Sequence, residues 1–247
     1  MTPLFGHTRS VVRSHYALLE PFGFVASPAP DWTNATACIV ISPVMGARFA
    51  QTHFTFAKNG RGAGVTGDDE FCVYFVRGSG STKLGGKETA LREGSYVYVP
   101  PGTRWDIRAG KGSELVMFSR HYEPLDGAAP PAPLIGHAKN VPSQPFLGDP
   151  DARLQTLLPD VPAFDLAVNV FTYQPGATLP MVETHIMEHG LVMLRGQGIY
   201  RLGDDWYPVR AGDVIWMRAY CPQWFVAMGR EPASYLYYKD VNRPPAL

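Results

Sequence analysis

The sequence is short of charge, of cysteine and of long apolar runs, and each shortage excludes a class of protein. Charged residues make up only 18% of the 247 residues, and 22 Lys and Arg balance 22 Asp and Glu. A chain without a basic surplus lacks the electrostatic footprint of a nucleic-acid-binding or anionic-membrane-binding protein. We therefore expect neither nucleic acid nor a membrane as a partner.

The small number of cysteines and the absence of long apolar runs indicate where in the cell the protein is expected. The longest apolar stretches, such as residues 38–47 (CIVISPVMGA), are too short to span a bilayer. The first 24 residues lack the apolar core and cleavage site of a secretory signal. Three widely spaced cysteines, Cys38, Cys72 and Cys221, form no CxxC motif. We expect a cytoplasmic protein with reduced thiols.

Apolar residues are plentiful, at 45%, and they are accompanied by 25 glycines and 23 prolines. Short runs of Val, Ile, Phe, Tyr and Trp are separated by Gly and Pro, with little helical periodicity. This pattern predicts an all-β protein made of antiparallel barrels or sandwiches. The apolar fraction is large enough for a real core, which excludes overall disorder.

Residues 71–105 and 189–223 read alike. Each contains an apolar strand, an RGxG turn, a second strand, a short GGK or GDD turn, and a strand that starts G-[SD]-x-[VI]. Gly78 of the first copy matches Gly196 of the second. The sequence therefore predicts an internal repeat of about 120 residues.

The repeat suggests a division into two domains. We expect an N-terminal barrel over residues 1–122 and a C-terminal barrel over residues 156–247. Residues 123–155 are rich in Pro, Gly and Ala, and they predict a crossover linker. One helical turn is expected near residues 152–158.

Three metal-ligating residue types lie close together at Glu183, His185 and His189. Glu183 and His185 are two apart, so on a strand they face the same side. A tight turn at Met187 and Glu188 would start the next strand at His189, where antiparallel pairing brings it beside His185. A metal site is one interpretation, and two surface histidines near an acid are the other.

The repeat favours the metal site. Counting back from the matched glycine, the first copy has Val65, Gly67 and Phe71 where the second has its three candidate ligands. A surface feature does not explain polar groups at inward-facing positions of one copy only. We therefore expect a single site, in the C-terminal barrel.

The spacing resembles the first motif of the cupin family, G-x5-HxH-x3/4-E-x6-G. Here Gly176 is followed by Glu183-x-His185-x3-His189-x6-Gly196, with one extra residue after Gly176. The letters depart from the motif, because Glu replaces the first His and His replaces the Glu. The resemblance implies a bicupin: two tandem cupin barrels of the double-stranded β-helix (jelly-roll) type.

The second cupin motif, G-x5-P-x-G-x2-H-x3-N, resembles residues 94–105, where Trp105 takes the place of the ligand. The same count in the C-terminal copy puts Gln223 at that place. Arg218 and Tyr220 replace the Pro and Gly of the motif, which weakens the match locally. The resemblance thus supplies Gln223 as a fourth ligand.

An E-x-H-x3-H…Q set is similar to that of the (S)-ureidoglycine aminohydrolase family, bicupins of purine (allantoin) breakdown. The similarity is densest in ETHIMEHG, in GQGIYRL and over residues 233–243. The resemblance implies one Mn²⁺ per chain, in the C-terminal barrel. It also implies three residues that bind the substrate and take part in catalysis. The implied metal ligands are Glu183, His185, His189 and Gln223, and the implied substrate residues are Tyr200, Tyr235 and Lys239.

The implied activity is that of a hydrolase that acts on a small molecule, releasing ammonia and forming (S)-ureidoglycolate. The implied assembly is a homo-oligomer. Two imidazoles, a carboxylate and an amide suit Mn²⁺, with Fe²⁺ or Ni²⁺ left open by ligand type. The alternatives are another metal-dependent cupin enzyme, such as a dioxygenase or an isomerase, and a non-catalytic bicupin that binds a small molecule.

Other residues keep simpler interpretations. Tyr200 and Tyr235 could be half-buried barrel residues, and Lys239 could be an exposed lysine paired with Asp240. Glu188 has the opposite parity to the ligands, so we expect it to point outward or to support a ligand. Asp213 in the RAGD stretch is expected to cap a turn.

Overall fold

The computed structural model describes residues 8–243, and the chain in that range is all-β, as predicted. Three single 3-10 turns lie at Pro21–Gly23, Pro43–Met45 and Ala138–Asn140. None of the described residues form a helix long and apolar enough to cross a membrane. The strands in chain order are β1 (Val11–Val12), β2 (Tyr16–Leu19), β3 (Trp32–Ile41), β4 (Ala50–Val65), β5 (Asp69–Arg77), β6 (Ser79–Leu84), β7 (Lys87–Arg92), β8 (Ser95–Val99), β9 (Arg104–Ala109), β10 (Glu114–His121), β11 (Leu134–His137), β12 (Gln144–Phe146), β13 (Asp149–Thr156), β14 (Leu166–Tyr173), β15 (His189–Arg195), β16 (Gln197–Leu202), β17 (Asp205–Arg210), β18 (Val214–Met217), β19 (Gln223–Met228) and β20 (Ala233–Asp240).

The chain divides into two compact units. The N-terminal barrel contains residues 25–141 and 157–165. The C-terminal barrel contains the described residues 8–24, 142–156 and 166–243. Each barrel therefore includes segments that are distant in sequence.

These units differ from the predicted boundaries at 122 and 156. Residues 8–24 belong to the C-terminal barrel because β2 pairs with β18 along its whole length. The predicted linker, residues 123–155, contributes β11 to the N-terminal barrel and β12 to the C-terminal barrel. The helical turn expected near residues 152–158 is wrong, since Asp149–Thr156 is strand β13 and pairs with β14.

The N-terminal barrel is one curled sheet in the order β11-β8-β5-β10-β4-β9-β6-β7, with β3 on β4. Strand β4 is 16 residues long. The first part of β4 pairs with β10 and its last part pairs with β9. This one long strand therefore continues from one side of the barrel into the other. Alternate residues face an interior filled by aromatic and aliphatic side chains. The aromatic residues packed in and against this core are Trp32, Phe54, Phe56, Phe71, Phe75 and Trp105.

The C-terminal barrel has two sheets. One has the order β1-β2-β18-β15-β20-β14-β13-β12, and the other has the order β17-β16-β19. The stretch between β14 and β15 contains Pro175 and Pro180, which cannot donate to a ladder. It forms no continuous ladder with β19 but pairs with it through isolated bridges, Thr178 to Val226 and Glu183 to Gln223. This irregular stretch carries the first two candidate ligands.

The predicted repeat is present in the strands. Strands β5 to β10 of the first barrel correspond to β15 to β20 of the second. In both copies the glycine of the RGxG turn is left-handed, with φ of 90° at Gly78 and 72° at Gly196. A side chain there would also collide, because a Cβ would lie 2.3 Å from the Ser113 hydroxyl or 2.6 Å from the Pro232 carbonyl oxygen. Glycine is therefore required at both turns.

The N-terminal segment is fixed to the C-terminal barrel by an ion pair. Arg9 donates two hydrogen bonds of 2.7 Å to the carboxylate of Asp213, which is fully buried. The same carboxylate accepts the backbone N–H of Arg210 at 2.8 Å. Asp213 thus caps its turn, as predicted, and it also holds the segment that leads into β1.

Candidate functional site

A cavity of about 250 Å³ opens into the C-terminal barrel, and its polar wall carries all seven residues predicted from the sequence. The wall is assembled from the irregular stretch before β15 and from strands β15, β16, β19 and β20. The predicted residues in this wall are Glu183, His185, His189, Tyr200, Gln223, Tyr235 and Lys239.

Backbone hydrogen bonds bring the distant ligand Gln223 to the others. The N–H of Glu183 donates to the Gln223 carbonyl and the N–H of Gln223 to the Glu183 carbonyl, both at 2.9 Å. Residues directly opposite in an antiparallel pair place their side chains on the same face. Next to this pair, the Tyr220 N–H donates to the His185 carbonyl at 2.7 Å. On the neighbouring strands β15 and β20, His189 is the register partner of Lys239.

The two imidazoles lie against each other, with ring centroids 4.7 Å apart. His185 Nδ1 donates to the Met187 carbonyl oxygen at 3.1 Å, which leaves its Nε2 unprotonated. The Gln223 amide nitrogen is 3.1 Å from His185 Nε2 and 3.2 Å from His189 Nδ1, so it donates to both rings. Burial lowers the pKa of His185 and places that of His189 well below its ordinary value. Both rings are therefore neutral.

Glu183 faces the same cavity as Lys239. Burial raises the pKa of the Glu183 carboxyl, and the Lys239 ammonium opposes this shift. Among residues 8–243, with the side chains oriented as they are, no three His, Cys, Asp or Glu side chains lie close enough together to hold a metal ion. The Gln223 amide nitrogen occupies the position between His185 Nε2 and His189 Nδ1, toward which both imidazole nitrogens point. A ligand set would need this amide to present its oxygen instead.

Three buried tyrosines lie beside the ligands. Tyr200 donates its hydroxyl to the Gln223 amide oxygen at 3.0 Å. The Tyr235 and Tyr173 hydroxyls are 3.0 Å apart. Burial raises the pKa of Tyr173, Tyr200 and Tyr235 well above the ordinary value of tyrosine. These groups therefore remain neutral hydroxyls that can donate and accept hydrogen bonds.

Part of the cavity wall is apolar, and the sequence did not reveal it. Phe146 and Leu154 come from the segment predicted as a linker, and a Pro- and Gly-rich composition gave no indication of a cavity wall. Tyr237 was also missed, although it shares the face of Tyr235 and Lys239 on β20 and the strand period could have revealed it. The apolar residues of this wall are Phe146, Leu154, Phe171, Leu191 and Met217.

The structure also shows where Glu188 and Lys239 lie. Glu188 does not point into solvent, because it is 2% exposed and accepts a 3.3 Å hydrogen bond from Trp216 Nε1. Asp240 is buried and accepts the Glu188 N–H at 2.6 Å. Lys239 lies on the other face of β20 and lines the cavity instead.

The N-terminal barrel has aromatic rings at the equivalent positions. Phe71, which corresponds to His189, packs edge-on against Trp105, which corresponds to Gln223, with ring centroids 5.1 Å apart. Both residues are buried. Val65 departs from the expectation of an inward-facing residue, since it is 54% exposed.

Each of the two barrels matches a known protein family. Residues 169–238 match a family model described as a cupin domain. Residues 48–122 match a model described as an EutQ-like cupin domain. Both barrels are therefore cupins, and the chain is a bicupin.

Curated relatives identify the family within the cupins to which the chain belongs. The (S)-ureidoglycine aminohydrolase of Arabidopsis thaliana is 39% identical over 244 residues, which cover 97% of this chain and 80% of that protein. The enzyme of the same name from Escherichia coli K12 is 36% identical over 95% of this chain and 92% of its own. The chain belongs to the (S)-ureidoglycine aminohydrolase family. Membership of this family makes it a hydrolase.

A solved structure agrees with the family at the level of the whole fold. The crystal structure of the protein Ylba from Escherichia coli superposes with a TM-score of 0.87 at 32% sequence identity. The superposition covers 98% of this member of the aminohydrolase family and 97% of the Ylba chain. The double-barrel arrangement of strands is thus common to both proteins.

Proposed function

We propose that the protein is a Mn²⁺-dependent (S)-ureidoglycine aminohydrolase that takes part in purine (allantoin) breakdown. The reaction replaces the amino group on Cα of the substrate by a water-derived hydroxyl, giving (S)-ureidoglycolate and ammonia. Membership of the aminohydrolase family supports the activity. The observation that carries the proposal is the meeting of seven side chains from distant strands in one small cavity.

The donor set suits the proposed metal. Glu183, His185, His189 and Gln223 would hold the ion with two nitrogens and two oxygens. A metal-binding imidazole commonly donates its second N–H to a carbonyl, and His185 does so to Met187. When bound, Mn²⁺ would supply Lewis-acid stabilisation of developing negative charge.

The size and charge of the cavity suit a small anionic substrate. A volume of about 250 Å³ is below the roughly 300–1,000 Å³ of pockets for drug-sized ligands, and ureidoglycine is much smaller than a drug. Lys239 places the ammonium group in this wall, where it would pair with the substrate carboxylate. The hydroxyls of Tyr200 and Tyr235 would hydrogen-bond the ureido group.

The cavity wall presents both polar and apolar side chains, which supports a stereospecific reaction. The polar side chains include Glu183, Gln223 and Lys239, and the apolar ones include Phe146 and Leu154. A substrate carbon with carboxylate, amine and ureido substituents would point all three toward polar groups and its hydrogen toward apolar side chains. One face of Cα is then presented for attack.

The test combines an ammonia assay with elemental analysis. The purified protein should carry about one Mn²⁺ per chain, and it should release ammonia from freshly generated (S)-ureidoglycine far faster than the spontaneous rate. The double variant Glu183→Ala, His185→Ala should lose both the metal and the activity. A matched control is Asp69→Ala, His121→Ala, which removes an acid and a histidine whose side chains are 69% and 68% exposed on the N-terminal barrel.

Retained turnover in the Glu183→Ala, His185→Ala variant would refute the proposed site. Oxygen uptake without ammonia release would instead favour a dioxygenase, and a metal-free protein that only binds the substrate would favour a binding module. The homo-oligomer and the cytoplasmic location stay predictions. Gel filtration with light scattering tests the first of these.

A further inference from the structure

We propose that Tyr173 is a positioning residue, and that its hydroxyl holds the Tyr235 hydroxyl in place for the substrate through a hydrogen bond. The inference rests on the proposed function, since it assigns Tyr235 to substrate binding. Tyr173 lies at the end of β14 and is 0% exposed. It is not among the residues that line the cavity. Any influence on the substrate must therefore pass through a neighbour.

The contact with Tyr235 is specific. Strand β14 pairs with β20, and Phe171 is the register partner of Tyr235, so Tyr173 is the diagonal neighbour. The two hydroxyl oxygens are 3.0 Å apart and the ring centroids are 5.8 Å apart. This is the distance of an O–H···O hydrogen bond in which either group can donate.

The ring of Tyr173 also packs against aromatic side chains. Its ring packs against Phe171 at a centroid distance of 4.5 Å and against Phe225 at 5.0 Å. Phenylalanine would fill the same apolar space, and burying a hydroxyl costs free energy unless the group is hydrogen-bonded. The hydrogen bond to Tyr235 is what the hydroxyl of Tyr173 contributes.

Tyr173 is the inner end of a row of polar groups that reaches the ligands. The ring of Tyr235 lies 6.3 Å from that of Tyr200, centroid to centroid, and Tyr200 donates to the amide oxygen of Gln223. Each phenol has one O–H to donate, so a hydrogen bond to a fixed neighbour limits where that hydroxyl can point. Tyr173 thus holds the Tyr235 hydroxyl at one end of the row, and Gln223 holds the Tyr200 hydroxyl at the other.

The variant Tyr173→Phe removes this anchor and keeps the ring. The Tyr235 hydroxyl can then rotate about its C–O bond, and the substrate must fix it on binding. We expect KM to rise about three- to tenfold, the factor that corresponds to one ordinary hydrogen bond, with a much smaller change in kcat. Binding of N-carbamoylglycine, the substrate without its leaving amine, should weaken by a similar factor in calorimetry.

The control is Tyr96→Phe, which removes a hydroxyl from a buried tyrosine of the N-terminal barrel. It should leave KM and analogue binding unchanged. Melting temperatures of the two variants report any general loss of stability.

A double-mutant cycle separates positioning from packing. In a Tyr235→Phe background, Tyr173→Phe should have no further effect on KM or on analogue binding, because the hydroxyl that it orients is gone. Additive effects, or a Tyr173→Phe variant that binds like Tyr96→Phe, would overturn the inference. Failure of the proposed function has a different result: the wild-type protein itself would not release ammonia from ureidoglycine.

Discussion

Glu70 and Asp165 of the N-terminal barrel bring two carboxyl groups together on the face of β5 opposite to the core residue Phe71, and both residues are 0% exposed. Glu70 Oε2 accepts a 2.5 Å hydrogen bond from the Tyr98 hydroxyl, and Asp165 Oδ2 accepts the Glu123 N–H at 2.7 Å. The other two oxygens, Glu70 Oε1 and Asp165 Oδ1, are buried without a donor from another group. They can hydrogen-bond each other only if one carboxyl carries a proton.

Burial, and then the interaction with Asp165, raise the pKa of Glu70 well above its ordinary value of 4.5, so Glu70 holds the proton. Arg120, with its Nε 3.6 Å from Asp165, opposes this shift only in part. The folded protein then binds one proton more than the unfolded chain from about pH 5 upward, and stability falls as the pH rises. One proton corresponds to about 1.4 kcal/mol of unfolding free energy per pH unit.

The variant Glu70→Gln tests this reasoning. Its amide donates to Asp165 and accepts from Tyr98 at every pH, without a proton to hold. The unfolding free energy of the variant minus that of the wild type should therefore rise with pH, by up to about 1.4 kcal/mol per unit between about pH 5.5 and pH 8. Urea unfolding curves at four pH values measure this difference.

Glu88→Gln is the control, because Glu88 is an exposed glutamate on β7 of the same barrel. Its difference from the wild type should not change with pH. A pH-independent difference for Glu70→Gln, or one that falls as the pH rises, would refute a shared proton.

Three further predictions concern the C-terminal barrel. Lys239→Met keeps the alkyl chain but removes the charge that would pair with the substrate carboxylate, and steady-state kinetics should give a KM raised about tenfold or more. Arg9→Met leaves the buried Asp213 carboxylate without its bidentate partner, and urea unfolding should report a loss of about 2–4 kcal/mol. Tyr220→Gly should raise stability by up to about 1 kcal/mol in thermal melts, because Tyr220 is left-handed with φ of 65°; an unchanged or lower melting temperature would argue that its exposed ring contributes a compensating contact.

Tyr220 also shows how a motif residue can be substituted while the backbone conformation of the turn is kept. The cupin motif has glycine at this place, and the N-terminal copy retains it as Gly102 with φ of 67°. Tyr220 has nearly the same φ, so the turn that delivers Gln223 is preserved in spite of the substitution. A count along the motif therefore reaches Gln223, which lies beside His185 and His189, even though the local match was weak.

The duplicated barrel shows what a sequence repeat can and cannot reveal. The copies share strands and turn glycines, and they differ where Phe71 and Trp105 of one copy correspond to His189 and Gln223 of the other. The rings fill one interior, and the polar groups meet in the other. A difference of this kind can be read from aligned positions, because both copies obey the same two-residue strand period.

The sequence by itself determined the features that depend on neighbouring residues. The strand period placed Glu183 and His185 on one face, and the turn at Met187 started β15 at His189. Glycines with left-handed φ marked the turns of both copies. These features need only local sterics and local hydrogen bonding, so a short window of sequence contains the information.

Only the tertiary structure decided the features that join distant segments. Phe146 and Leu154 became a wall of the cavity, Tyr173 met Tyr235, and Arg9 reached Asp213. Each contact depends on which strands pair and in which register, and this is set by burial over the whole barrel rather than by any local preference. The compact units differ from the predicted boundaries for the same reason: β1 and β2 join the C-terminal barrel, and β11 and residues 157–165 join the N-terminal barrel.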